Sequence, residues 1–147
     1  EANAFIIIII IGQLLLNSII QTLHLSGDAI GRNESAFAKY IEFDKLLQLY
    51  NLAALYVSTA LNEGFGMPQL EAMACGCPVV SPHNSAMIEV VSSRGLTIEG
   101  WDKEHWIYQL CNLLDSKQRL DEMKNPDLSE YDWKDIIMRV KKYVGNI

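Results

Sequence analysis

Between Lys45 and Arg94 the chain carries no lysine or arginine, yet Glu63 and Glu71 stand in that stretch among Gly, Ala, Met, Phe and Cys. A carboxylate drawn out of water is costly unless it accepts hydrogen bonds. With no cation nearby in sequence, each acid must meet a distant basic group, backbone N–H groups, water or the hydroxyls of a ligand. Sugar and ribose hydroxyls suit this role because they are donors, and one carboxylate can accept two of them. The Gly64-Phe65-Gly66 loop between the acids allows close approach of backbone to a ligand. A helix is expected from Met67 to Cys75, with Pro68 near its first position, where the missing N–H does no harm. Its start directs free N–H groups and a positive dipole end at the same spot, a setting for a diphosphate that needs no lysine. A plain structural reading stands beside this one: acids near a helix start favour the dipole and cap the first turn. Spacing alone does not separate the two.

The elements that would position these residues alternate between strand and helix. Phe5 to Ile11 includes six consecutive isoleucines, and β-branched residues without alternation mark a strand covered on both faces, as in a parallel sheet. Gly12 ends it. A helix from Leu14 to Thr22, a short strand from Leu23 to Ser26 and an extended piece from Ala36 to Ile41 follow. Asp44 to Leu52 has apolar residues at helical spacing, with Asp44 placed to cap it. Further strands are expected at Ala54–Ser58, Pro78–Ser81 and Leu96–Ile98, and helices at Ala86–Val91, Trp101–Leu114 and Tyr131–Tyr143. Such alternation implies an α/β fold, a parallel sheet with helices on both faces.

At 147 residues the chain is one domain by length, 1–147, and large enough to bury a sizeable core without a disulfide. A net charge of -6 with no cluster of basic residues speaks against nucleic-acid binding. Cys75, Cys77 and Cys111 are odd in number and lack zinc-site spacing, which points to free thiols in a reducing, cytoplasmic compartment. Gln13, Asn17 and Ser18 interrupt the apolar start before a membrane span accumulates. No Lys or Arg precedes Arg32, so a basic signal-peptide start is not expected. The first residue is Glu, which points to a piece of a longer product.

The run EGFGMPQLEAMACGCPVVS, Glu63 to Ser81, resembles the signature of a family of retaining glycosyltransferases, group 1 and family 4-like, in which two glutamates flank seven residues. Tyr40 to Ala53 and the following ALYVSTALNEGFG resemble that family's path into the motif, and Ser85 to Val91 the segment after it. Leu25-Ser26-Gly27-Asp28 is similar to its second strand and turn, and Tyr131-Asp132-Trp133 to the entry of its closing helix. The resemblance implies the C-terminal, Rossmann-like half of a GT-B enzyme, with the active site in the cleft facing its own N-terminal acceptor domain. It implies that Glu63 meets the donor sugar's hydroxyls and is the candidate catalytic residue, in a chemical or a positioning role. The backbone of Gly64, Phe65, Gly66 and Met67 would reach the sugar and diphosphate, and Glu71 the ribose. Gly12, Gln13 and the backbone near Lys39 and Tyr40 would border the remainder of the nucleotide. The donor would be a UDP-, GDP- or ADP-linked sugar and the acceptor a glycan, lipid or small molecule. No metal or other cofactor is implied, and membrane association, if any, would be peripheral and through the missing domain.

Two departures from the family pattern stand out. Members place an Arg soon after the glycine of the first strand and a Lys a few residues later; here Gln13 follows Gly12 and no Lys appears. The connections up to Tyr40 are also shorter. Segments absent from the chain, or a degenerate member with weakened donor affinity, would each account for this. A noncatalytic Rossmann-like nucleotide-binding module is therefore the competing reading. A phosphorylase of the same architecture would carry a lysine for pyridoxal phosphate near the cleft, and none stands between Leu46 and Ser93. His24, His83 and His105 read as structural, and Trp101, Trp106 and Trp133 most simply as packing residues of the last helices, although an exposed face could dock the missing domain.

Overall fold

The computed structural model describes residues 8–11 and 42–144. The expected elements at 14–22, 23–26 and 36–41 lie outside them. The order is β1 (Ile8–Ile11), α1 (Phe43–Leu52), β2 (Leu55–Ser58), α2 (Met67–Ala74), β3 (Val79–Pro82), α3 (Ser85–Val90), β4 (Leu96–Ile98), α4 (Lys103–Leu114), α5 (Lys117–Glu122), a 3-10 turn (Ser129–Tyr131) and α6 (Trp133–Val144).

Among the described residues four strands form one sheet in the order β1-β2-β3-β4, and their pairings are parallel, with Ile8 opposite Leu55, Tyr56 opposite Val79 and Val80 opposite Leu96. The α/β, Rossmann-like expectation is met. Each crossover moves one strand along, so α2 and α3 lie on the same face, as right-handed connections require. Strand periodicity then divides the core in two. Tyr56 and Val79 pack with Tyr50 of α1, Leu70, Ala72 and Met73 of α2, and Met87 and Val90 of α3. Leu55, Val57, Val80 and Ile98 point the other way, onto Trp106, Leu110 and Leu113 of α4. Fully buried strands such as β2 and β3 explain why these segments are apolar without alternation.

Most expected boundaries hold to a residue or two, but the capping of α1 does not. Its N-cap is Glu42, which makes no side-chain capping bond, and Asp44 sits inside the first turn. There it favours the helix dipole rather than satisfying an N–H. Asp102 does cap α4, accepting from the His105 amide at 2.8 Å. The tryptophans divide: Trp106 is fully buried and donates from Nε1 to the Gly100 carbonyl at 2.9 Å, and Trp101 stacks on it at 5.9 Å. Trp133 contradicts its expected packing role, being 74% exposed. It opens α6, where Ile137, Met138 and Val140 are exposed as well.

Candidate functional site

β2 delivers the chain to a loop from Thr59 to Gly66, and α2 starts immediately after it. Gly66 is the N-cap of α2 in the left-handed region, φ 85°, ψ 43°. A Cβ there would run into the end of the Met87 side chain and lie 3.3 Å from the Gln69 amide oxygen, so the backbone angle favours glycine and another residue would also have to displace Met87. Gly64 differs, since a Cβ on it would meet nothing. No side chain caps α2 and Pro68 brings no N–H, so the helix start keeps unclaimed N–H groups of its own.

Glu63 and Glu71 are both half-buried, and among the described residues neither is paired with a lysine or arginine; the ion pairs there are Lys45–Glu42, Arg94–Glu130 and Lys124–Asp121. Of the partners the sequence left open for these acids, a basic side chain is therefore not found among the described residues. The structure adds a partner that the sequence reading missed. Tyr50, on α1, has its phenol pushed up to about 12 by burial first, then by the Glu71 carboxylate, by Cys75 and Cys77, and by its hydrogen bond to Glu71. Glu71 thus acts on a phenol of the protein itself. Tyr56 meets Tyr50 edge-on at 5.8 Å, and its phenol is also raised, by burial and then by Tyr50, Glu63 and Glu71. The signal available in the sequence was a tyrosine at an apolar helical position, an amphipathic ring whose O–H needs a partner when buried.

Phe65, at the loop tip, is 49% exposed and sits edge-on to Tyr131 at 6.0 Å. Tyr131 in turn lies under the Arg94 guanidinium, 5.2 Å from its ring centre, and Arg94 pairs with Glu130 and donates to the Asp127 carbonyl at 2.9 Å. The segment entering α6 is thereby fastened against the loop. Met67 is exposed beside Phe65. His83 bonds through Nδ1 to the Thr97 hydroxyl at 2.8 Å, in keeping with its structural reading. Gly12, Gln13, Lys39 and Tyr40 lie outside the described residues, so Glu63, Gly64, Phe65, Gly66, Met67 and Glu71 form the part of the expected site that can be seen together. Two surface hollows near Arg94, lined by Ser93, Glu122, Asp127 and Arg119 among others, include none of these residues. Among the described residues no group of three or more His, Cys, Asp or Glu is arranged to hold a metal ion, and no helix is long and apolar enough to cross a membrane.

A family model described as "Glycosyl transferases group 1" matches residues 6–116. The serotype-specific mannosyltransferase WbdA of Escherichia coli is 39% identical over 62 residues, 42% of this chain and 8% of that protein. The O-antigen chain mannosyltransferase RfbU of Salmonella typhimurium is 27% identical over 115 residues, 78% of this chain and 31% of its own length. The chain thus spans less than a third of these curated relatives. A crystal structure from Listeria monocytogenes, described as a UDP-N-acetylglucosamine 2-epimerase, superposes with a TM-score of 0.64 at 16% identity, covering 99% of this chain and 47% of that one. That likeness concerns the fold.

Proposed function

Because the chain belongs to the group 1 glycosyl transferases, we propose that it is the donor-binding domain of a retaining hexosyltransferase. It holds a UDP-, GDP- or ADP-linked sugar and presents it to an acceptor hydroxyl across a cleft shared with an N-terminal domain. The observation that carries this reading is the pair of half-buried carboxylates, free of lysine and arginine partners among the described residues, on either side of the uncapped start of α2. Glu63 receives hydroxyls of the sugar, and Glu71 receives the ribose hydroxyls while holding the Tyr50 phenol. The backbone of Phe65, Gly66 and Met67 meets the sugar and the diphosphate, whose developing charge the α2 N–H groups stabilise without a metal. Gly12, Gln13 and Tyr40 complete the nucleotide pocket. Two relatives are mannosyltransferases by name, which favours mannose as the transferred hexose. Free thiols at Cys75, Cys77 and Cys111 suit a reducing cytoplasmic setting.

The competing reading, a nucleotide-binding module without transfer, draws on Gln13 standing where the family places an arginine. Thermal unfolding of the chain with UDP, GDP and ADP tests the donor-site reading. One nucleotide should raise the midpoint in a concentration-dependent way. Identical midpoints with and without all three would overturn it.

A further inference from the structure

Residues 61–66 form no helix or strand, Gly64 faces open space, and Phe65 is half out in solvent. A loop of this kind has to be held if Glu63 is to present its carboxylate in one place. Two residues at the start of α3 do so, its N-cap Asn84 and its first residue Ser85. Asn84 donates from Nδ2 to the Leu61 carbonyl at 2.9 Å, and Ser85 donates from Oγ to the Glu63 carbonyl at 3.1 Å.

The conformation at this point is itself unusual. Ser85 has φ 46°, the one non-glycine residue in the left-handed region among the described residues. L side chains rarely adopt that angle, and glycine would sit there freely. A serine in its place supplies the hydroxyl that glycine lacks, and that hydroxyl is on the Glu63 carbonyl. Asn84 is half-buried, and its Oδ1 has no hydrogen-bond partner among the described residues, so the bond its side chain makes there is the bond to the loop.

We propose that Asn84 and Ser85 are positioning residues for Glu63, preorganising the loop for the sugar end of the donor and leaving the nucleotide end untouched. This rests on the donor-site reading above. The loop is ordered before the ligand arrives, so its ordering cost is not taken from the binding energy of the sugar.

The test separates sugar affinity from nucleotide affinity in the full chain. Calorimetric Kd values are measured for UDP, GDP and ADP and for UDP-glucose, UDP-galactose, GDP-mannose and ADP-glucose, using wild type, Asn84→Ala, Ser85→Ala and Ser85→Gly. Expected is a nucleotide sugar that binds wild type more tightly than its parent diphosphate, with that advantage reduced in every variant. One ordinary hydrogen bond corresponds to a factor of roughly 2 to 12. Ser85→Ala and Ser85→Gly should lose the advantage alike, since both lack the hydroxyl, although glycine relieves the backbone angle and should melt at the higher temperature. Unchanged sugar advantages would overturn the inference while the donor reading stands. Equal weakening of diphosphate and nucleotide sugar would overturn it too, because it would reveal general loosening. Wild type that binds none of the probes would remove the donor reading and this inference together.

Discussion

Gln69 offers a prediction whose sign runs against the usual effect of core substitution. It lies on α2 with no exposed surface, and neither Nε2 nor Oε1 has a hydrogen-bond partner among the described residues. A buried donor or acceptor left unsatisfied costs about 1–3 kcal/mol. Methionine has nearly the same length and volume and adapts to irregular space, so Gln69→Met removes two such groups without leaving a cavity. Allowing up to about 1.5 kcal/mol for imperfect repacking, the net effect should be a stabilisation of about 2 kcal/mol. For a domain of this size each kcal/mol moves the melting midpoint by roughly 2–4 °C, so Gln69→Met should melt roughly 4–8 °C higher than wild type. Urea denaturation followed by far-UV circular dichroism, with the slope unchanged between the two proteins, checks the value independently of heating. A lower midpoint for Gln69→Met would refute the reasoning, since it would mean that the amide makes hydrogen bonds worth more than the desolvation it suffers. Gln69→Leu, which is shorter, should gain less than Gln69→Met.

Gly95 lies where a Cβ would come within 2.6 Å of the Val79 carbonyl oxygen, and that backbone belongs to a buried strand; Gly95→Ala should therefore destabilise by about 1–3 kcal/mol, read as a lower urea midpoint. Stability should also fall on the alkaline side. Burial, followed by the charge of Cys75, pushes the Cys77 thiol from its ordinary 9.0 up to about 12, and Tyr50 is raised from 10.0 to about 12 by burial and Glu71. A raised acid keeps its proton in the folded state after the unfolded chain has lost it, so its contribution is whole below pH 9 and disappears as pH climbs through about 12. Urea midpoints between pH 8 and 11 should decline, and Cys77→Ala should make the decline shallower; a flat profile would contradict the assignment.

The sheet was legible in the sequence because its strands are buried on both faces, and Leu55–Ser58 and Val79–Pro82 have no polar outer side to blur the pattern. The glycine turn was legible for a different reason. Gly66 adopts a left-handed angle under Met87, which glycine does at least cost. What escaped were pairings across elements. Tyr50 and Glu71 come from α1 and α2, and Ser85 at the start of α3 reaches Glu63 in the loop after β2, contacts that depend on crossover geometry rather than on local spacing. Asp44 was misread as a cap because the helix begins one residue earlier, at Phe43, and Glu42 takes the cap position without using its side chain. Trp133 was misread as a packing residue because amphipathic spacing says that a face is apolar and says nothing of whether anything covers it.

Glu71, unpaired with any lysine or arginine among the described residues, is proposed to receive the ribose hydroxyls of a nucleotide donor. Isothermal titration of wild type and Glu71→Gln with UDP, GDP and ADP tests it most directly, because glutamine keeps an acceptor for the Tyr50 phenol while removing the charge. Wild type should bind at least one of the three, and Glu71→Gln should bind it at least about tenfold more weakly with little change in melting temperature. Equal affinities for the two proteins, or heat-silent titrations of wild type with all three nucleotides at millimolar concentration, would contradict the account.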